Sequence, residues 1–188
     1  SMDQLGDNYR FELHWQPFEL HPDMPVAGAD RETYLAEKFG SLEKVKEVSD
    51  ALMQIGEAEG IQYRFTEADR IPNTHLAHRL VAIADKNDLG TQMALALFHA
   101  YFTQGKDIGD PDVLIEEAKA IGMAEEAIEQ AFDDKARVYI DKKLAQFQKL
   151  GIHSAPTYVL NDRYMVQGAQ SAEAFLKVLE ETAQKITP

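Results

Sequence analysis

The 188 residues contain no cysteine. That absence removes disulfides, thiolate nucleophiles, iron–sulfur clusters and Cys-ligated zinc from the chemistry this chain can carry on its own. Basic charge is also scarce: 19 Lys and Arg stand against 32 Asp and Glu, for a net charge of −13. A phosphate backbone or an anionic membrane surface needs the opposite balance, so neither nucleic acid nor membrane is expected as a partner. Apolar runs such as Met93-Ala94-Leu95-Ala96-Leu97-Phe98 fall far short of the ~20 residues that cross a bilayer. Ser1-Met2-Asp3-Gln4 lacks the basic start and apolar core of a signal peptide, and the cytoplasm is the expected compartment. Neither a Gly-rich phosphate loop nor a Gly-x-Ser-x-Gly elbow occurs.

What is present reads as an ordinary globular chain of one domain, or of one domain with a large insertion. Tyr9–Gln16 alternates apolar and polar residues with period two, the pattern of a half-buried strand, and Pro17 ends it. Pro22, Pro25 and Gly28 mark a loop. Helices follow. Asp30 caps 31–39 and Gly40 stops it; Ser41 caps the next, whose Leu42, Val45, Val48, Leu52 and Ile55 form one apolar stripe ending at Gly60. Asn73 or Thr74 caps a helix to about Asn87, and another follows Gly90. Asp110-Pro111 opens a helix closed by Gly122, and 124–150 is helical with a break near Asp133-Asp134. Thr157–Leu160 and Arg163–Val166 around Asn161-Asp162 read as a hairpin, followed by a last helix over 171–185. The simplest architecture is α/β, with a helical block set between strands.

Gly151–Val159, which contains Ala155-Pro156-Thr157, is the most informative segment. A proline at the head of a β-run cannot donate to the ladder; it either simply opens the strand in trans or makes a cis corner that exposes the Ala155 backbone to an extended peptide. His75 and His78 lie three apart on a helix and could chelate a metal with Glu67 or Asp69, but without a firm third ligand no metal is expected. His14 and His21 flank the Trp15–Phe18 loop, which either lines a cleft or packs. Asp133-Asp134 and Glu125-Glu126 read as solvated helix faces. Glu116-Glu117 suits the first turn of its helix.

Several of these segments carry a resemblance. Gly151–Val159 resembles the cis-proline loop of the thioredoxin superfamily. Trp15–Pro25, Asn73-Thr74-His75-Leu76-Ala77-His78-Arg79-Leu80, Ala96–Phe102 with Asp107-Ile108, and Tyr164–Gln170 are similar, in order, to segments of DsbA-like oxidoreductases of the FrnE-type branch. The resemblance implies a thioredoxin-like fold, with residues 3–20 and 151–188 forming its incomplete part and 30–150 a helical insertion domain. It implies a bacterial thiol–disulfide oxidoreductase, a cis bond at Pro156, and Ser154, Ala155 and Pro156 as the substrate-binding loop for a thiol- or disulfide-bearing protein or peptide. No residue here matches the family's Cys-x-x-Cys. The first strand and the active-site helix start are expected to be missing, with no catalytic residue in this chain and no thiol–disulfide turnover. The unpaired sheet edges that result are expected to close by direct pairing or by strand completion from a second copy, as a homodimer. Two alternatives remain. One is a glutathione-dependent enzyme similar to 2-hydroxychromene-2-carboxylate isomerases and kappa-class glutathione transferases, with glutathione as cofactor; the other is a non-enzymatic peptide-binding module.

Overall fold

The computed structural model describes residues 11–65 and 68–186. Its order is β1 (Ala29–Asp30), α1 (Arg31–Phe39), α2 (Leu42–Ala58), β2 (Arg70–Ile71), α3 (His75–Asp85), α4 (Gly90–Gln104), α5 (Pro111–Ala120), α6 (Glu125–Phe132), α7 (Asp134–Lys149), β3 (Thr157–Leu160), β4 (Tyr164–Gln167) and α8 (Ala172–Ile186). The described chain divides into two compact units, His14–Leu144 and 145–186 with 11–13.

Capping chemistry sets the helix ends. Asp30 accepts the Thr33 N–H at 2.9 Å to start α1, and Gly40 stops it at φ 88°. The Asp110 side chain accepts the Asp112 N–H at 2.8 Å, with Pro111 in the first turn of α5. Between α6 and α7 the break falls where expected, because Asp133 is extended at ψ 151° and cannot continue the helix. At α3 the cap is shared differently: Thr74 occupies the cap position without a side-chain bond, and Asn73 Oδ1 accepts the His75 N–H at 3.0 Å.

The core of the helical unit lies among α3, α4, α5 and α6. Leu80, Met93 and Leu114 are all but fully buried there, surrounded by Ala77, Ala84, Leu97, Ala118, Ala127, Ile128 and Ala131. The single tryptophan fixes the preceding loop, since Trp15 Nε1–H donates to Thr91 Oγ1 at 3.1 Å and its ring meets Phe98 edge-on at 5.8 Å.

Three expectations are corrected. The described part of the first strand, 11–16, is irregular, because no described segment pairs with it; Tyr9 and Arg10 lie outside the described residues. The α2 stripe is not a core stripe. Leu42, Val48, Leu52 and Ile55 are exposed, since the helix packs chiefly on the nine-residue α1, which has no buried residue of its own. Glu116 and Glu117 lie beyond the first turn of α5, where they grip Lys106 Nζ at 3.2 and 2.7 Å; Asp112 holds the first-turn place.

β1 and β2, two residues each and missed in the sequence, pair antiparallel with Ala29 opposite Ile71. Gly28 precedes them at φ +70°, where an added Cβ would sit 2.6 Å from the Ile71 carbonyl oxygen. Gly28→Ala therefore meets both an unfavourable backbone region and a backbone clash, and should lower stability by about 1–3 kcal/mol. Chemical denaturation followed by fluorescence checks this; a change within about 0.5 kcal/mol would remove the steric argument.

Candidate functional site

The second unit is built around the hairpin. Asn161 and Asp162 both adopt positive φ, at 50° and 55°, and the Arg163 N–H closes the turn onto Leu160 O at 3.1 Å, as a type I′ connection requires. β3 and β4 pair antiparallel from Thr157–Gln167 to Leu160–Tyr164. Tyr158 packs on Phe175 of α8 at 4.6 Å between ring centroids. The resulting sheet has two strands, so the other edge of β3 carries no strand among the described residues.

Ser154, Ala155 and Pro156 stand at the head of that edge, all three exposed. The Ala155–Pro156 peptide bond is cis. Two bonds anchor the loop: Thr157 Oγ1–H donates to Ser154 O at 2.7 Å, and Gly168 N–H donates to Pro156 O at 2.9 Å. Gln167 Nε2–H donates to Gly151 O at 3.2 Å from the neighbouring strand. The Ala155 amide and carbonyl take part in none of these bonds. The loop can offer main-chain donors and acceptors to an extended segment, and the exposed Ser154 adds a hydroxyl.

In the helical unit the histidines separate. His75 Nε2–H donates to Asp141 Oδ1 at 2.9 Å, while its Nδ1 accepts the Arg79 Nε–H at 3.0 Å. Both ring nitrogens are thus occupied by protein, and neither is available to a metal. His78 is partly buried, and its Nε2, shielded from solvent, lacks a partner among the described residues. Burial, opposed by a hydrogen bond to the Phe18 backbone and aided by the neighbouring His75, lowers its pKa to about 4. Among the described residues no group of three or more His, Asp or Glu could hold a metal ion; Glu67 lies outside them. His14 Nδ1 lies 3.1 Å from Asp85. His21 Nδ1 accepts from or donates to the Tyr34 hydroxyl at 2.9 Å, and its pKa is lowered by desolvation and by Lys38. Sequence reasoning passed over Glu19, Arg79, Arg137 and Asp141. Two i,i+4 polar pairs, His75 with Arg79 and Arg137 with Asp141, were the available signal.

The family model described as a DSBA-like thioredoxin domain matches residues 1–180. A probable DsbA oxidoreductase from Streptomyces coelicolor is similar in structure, with TM-score 0.79 and 28% identity over 91% of this chain and 75% of its own. A 2-hydroxychromene-2-carboxylate isomerase shares the fold at TM-score 0.60 and 15% identity, over 85% of this chain and 79% of its own. So does the cytosolic disulfide reductase DsbM of Pseudomonas aeruginosa, solved with glutathione, at TM-score 0.53 and 19% identity over 69% and 73%. No described helix is long and apolar enough to cross a membrane.

Proposed function

The chain belongs to the DsbA-like thioredoxin domain family, and on that premise we propose that it serves thiol–disulfide exchange by holding an extended segment of a thiol- or disulfide-bearing protein or peptide. The segment would run along the open edge of β3 and meet Ser154, Ala155 and Pro156. One observation carries this reading: Ala155 is exposed, and among the described residues its main chain is unbonded directly ahead of a strand edge that no strand covers. Strand addition draws its affinity from such main-chain groups.

Exchange itself needs a thiolate that attacks a disulfide sulfur, and these 188 residues supply none. The chain alone should therefore bind without turnover. Insulin reduction is expected to stay at background, and turnover above it would overturn the reading. In amide NMR, an unstructured cysteine peptide should move the signals of 153–160. N-methylating the peptide amide that faces Ala155 should weaken binding about five- to tenfold, the worth of one hydrogen bond. Shifts confined to other residues would remove the β3 edge as the docking place.

The glutathione-dependent alternative draws on fold likeness, and would be favoured if glutathione moved the 153–157 amides while the peptide did not. Binding indifferent to the peptide's cysteine would favour the non-enzymatic module. The same free edge is the place where a second copy would complete the sheet, and light scattering across a concentration series reads that homodimer as a doubled mass. The cytoplasm is the compartment that goes with this reading, checked by fractionation of the source cells.

A further inference from the structure

The helical unit encloses a cleft of about 920 Å³, room enough for a ligand of dipeptide size or somewhat larger. Its wall carries apolar patches from Val26, Pro72, Leu76, Phe132 and Leu144 together with charges of both signs. Most of those charges are already matched. Asp110 accepts from its own helix start, and Asp107 accepts the Gly109 N–H at 2.8 Å. Asp141 sits between His75 at 2.9 Å and Arg137 at 3.5 Å, and Arg137 also reaches Asp134 at 3.1 Å.

Two charged groups lack a full set of direct partners. The half-buried Glu19 carboxylate has no hydrogen bond or ion pair among the described residues. Arg79 spends its Nε–H on His75, and its terminal amino groups have no hydrogen-bond partner among the described residues. Glu19 and Arg79 do not pair with each other either; Glu19 feels His75, and Arg79 feels Asp141 and Asp134, without a direct bond from the carboxylate or from the terminal amino groups among the described residues. Partly desolvated charges without partners are unfavourable. A simple anion would satisfy only Arg79 and a simple cation only Glu19.

We propose that this cleft binds a small zwitterionic peptide, its carboxylate on the Arg79 guanidinium and its ammonium on the Glu19 carboxylate, with apolar side chains on the Leu76, Phe132 and Leu144 wall. The electrostatics run the same way. Burial, opposed by His75 and aided by Asp141, holds the Glu19 carboxyl above its usual range. Burial and then the neighbouring Arg137, opposed by Asp141 and Asp134, hold the Arg79 guanidinium below its own. A bound ammonium and a bound carboxylate reverse both shifts. The site stands whether or not β3 takes a peptide.

The test is calorimetric titration of the whole chain with three probes: alanyl-leucine, its N-acetyl form and its C-terminal amide. Alanyl-leucine should bind at least about tenfold more tightly than either blocked form. Arg79→Gln should erase the advantage over the amide while leaving the amide's own affinity in place, and Glu19→Gln should do the same for the acetylated probe. Equal affinities for the three probes, or no heat from any of them up to about 10 mM, overturn the proposal. The three titrations of the unaltered protein decide between these outcomes by themselves, so the proposal stays falsifiable even where a variant fails to fold.

Discussion

Leu80→Ala is expected to cost the helical unit about 3 kcal/mol, within the 2–5 kcal/mol range that leucine truncation shows in packed cores. Leu80 is 1% exposed at the centre of the cluster formed by α3 to α6. Its removal gives up transfer free energy and leaves a void that helices already in close contact cannot refill. Leu52→Ala is the matched control. Leu52 belongs to the α2 stripe and is 42% exposed, so the same chemical change should cost under about 0.5–1 kcal/mol. Urea denaturation followed through Trp15 reads this unit directly, because that residue is the chain's one tryptophan and sits against α4. Equal losses at 80 and 52 would mean that the α2 stripe is covered in solution, and would remove the assignment of the core.

Acid should weaken the fold through His78 before the bulk of the carboxylates titrate. Its pKa in the fold is about 4, against about 6.5 for a free imidazole. Above pH 6.5 both folded and unfolded states hold it neutral, and it has no effect. Between pH 6.5 and 4 the unfolded chain takes up the proton and the folded chain does not, so stability falls as pH falls. The slope approaches about 1.4 kcal/mol per pH unit, for a total of about 3 kcal/mol at the acid end. Glu19 acts in the opposite sense, since its raised pKa makes the folded state the better proton acceptor there. For that reason the cleanest readout is the His78 ring itself. Its proton signals should hold still in an NMR titration from pH 7.5 to 5, and His78→Gln should flatten the stability profile over that interval. A titration midpoint near 6.5 would show that the ring is solvated and would cancel the effect.

Local chemistry made the helices legible. Asp30 and Gly40, the Asp110-Pro111 start, and the extended Asp133 each act through atoms within a few residues, so the sequence carried the information in place. The hairpin was legible for the same reason, since Asn161 and Asp162 tolerate positive φ. Misreadings arose where a partner was needed. The alternation at 11–16 specifies a strand face but supplies no neighbouring ladder, and the α2 stripe specifies an apolar face but supplies no helix to cover it. At 155–156 contiguous residues carried the resemblance from which the cis bond was expected. The cleft was not legible because Glu19, Arg79 and Arg137 come from three distant stretches, and only packing among the helices brings them to one wall.

α3 packs on α6, and the buried cluster they share includes Ala77 and Ala84 of the one and Ala127 and Ala131 of the other. Alanine has no side-chain rotamers, so a displacement at this seam cannot be absorbed by a χ rotation and must pass from backbone to backbone. α3 and α6 therefore behave mechanically as one stiff piece. His75 and Arg79 ride on α3, which makes the position of that guanidinium a property of a helix pair more than of its own flexible stem. Sequence change on the far face of α6 would move the charge without touching it.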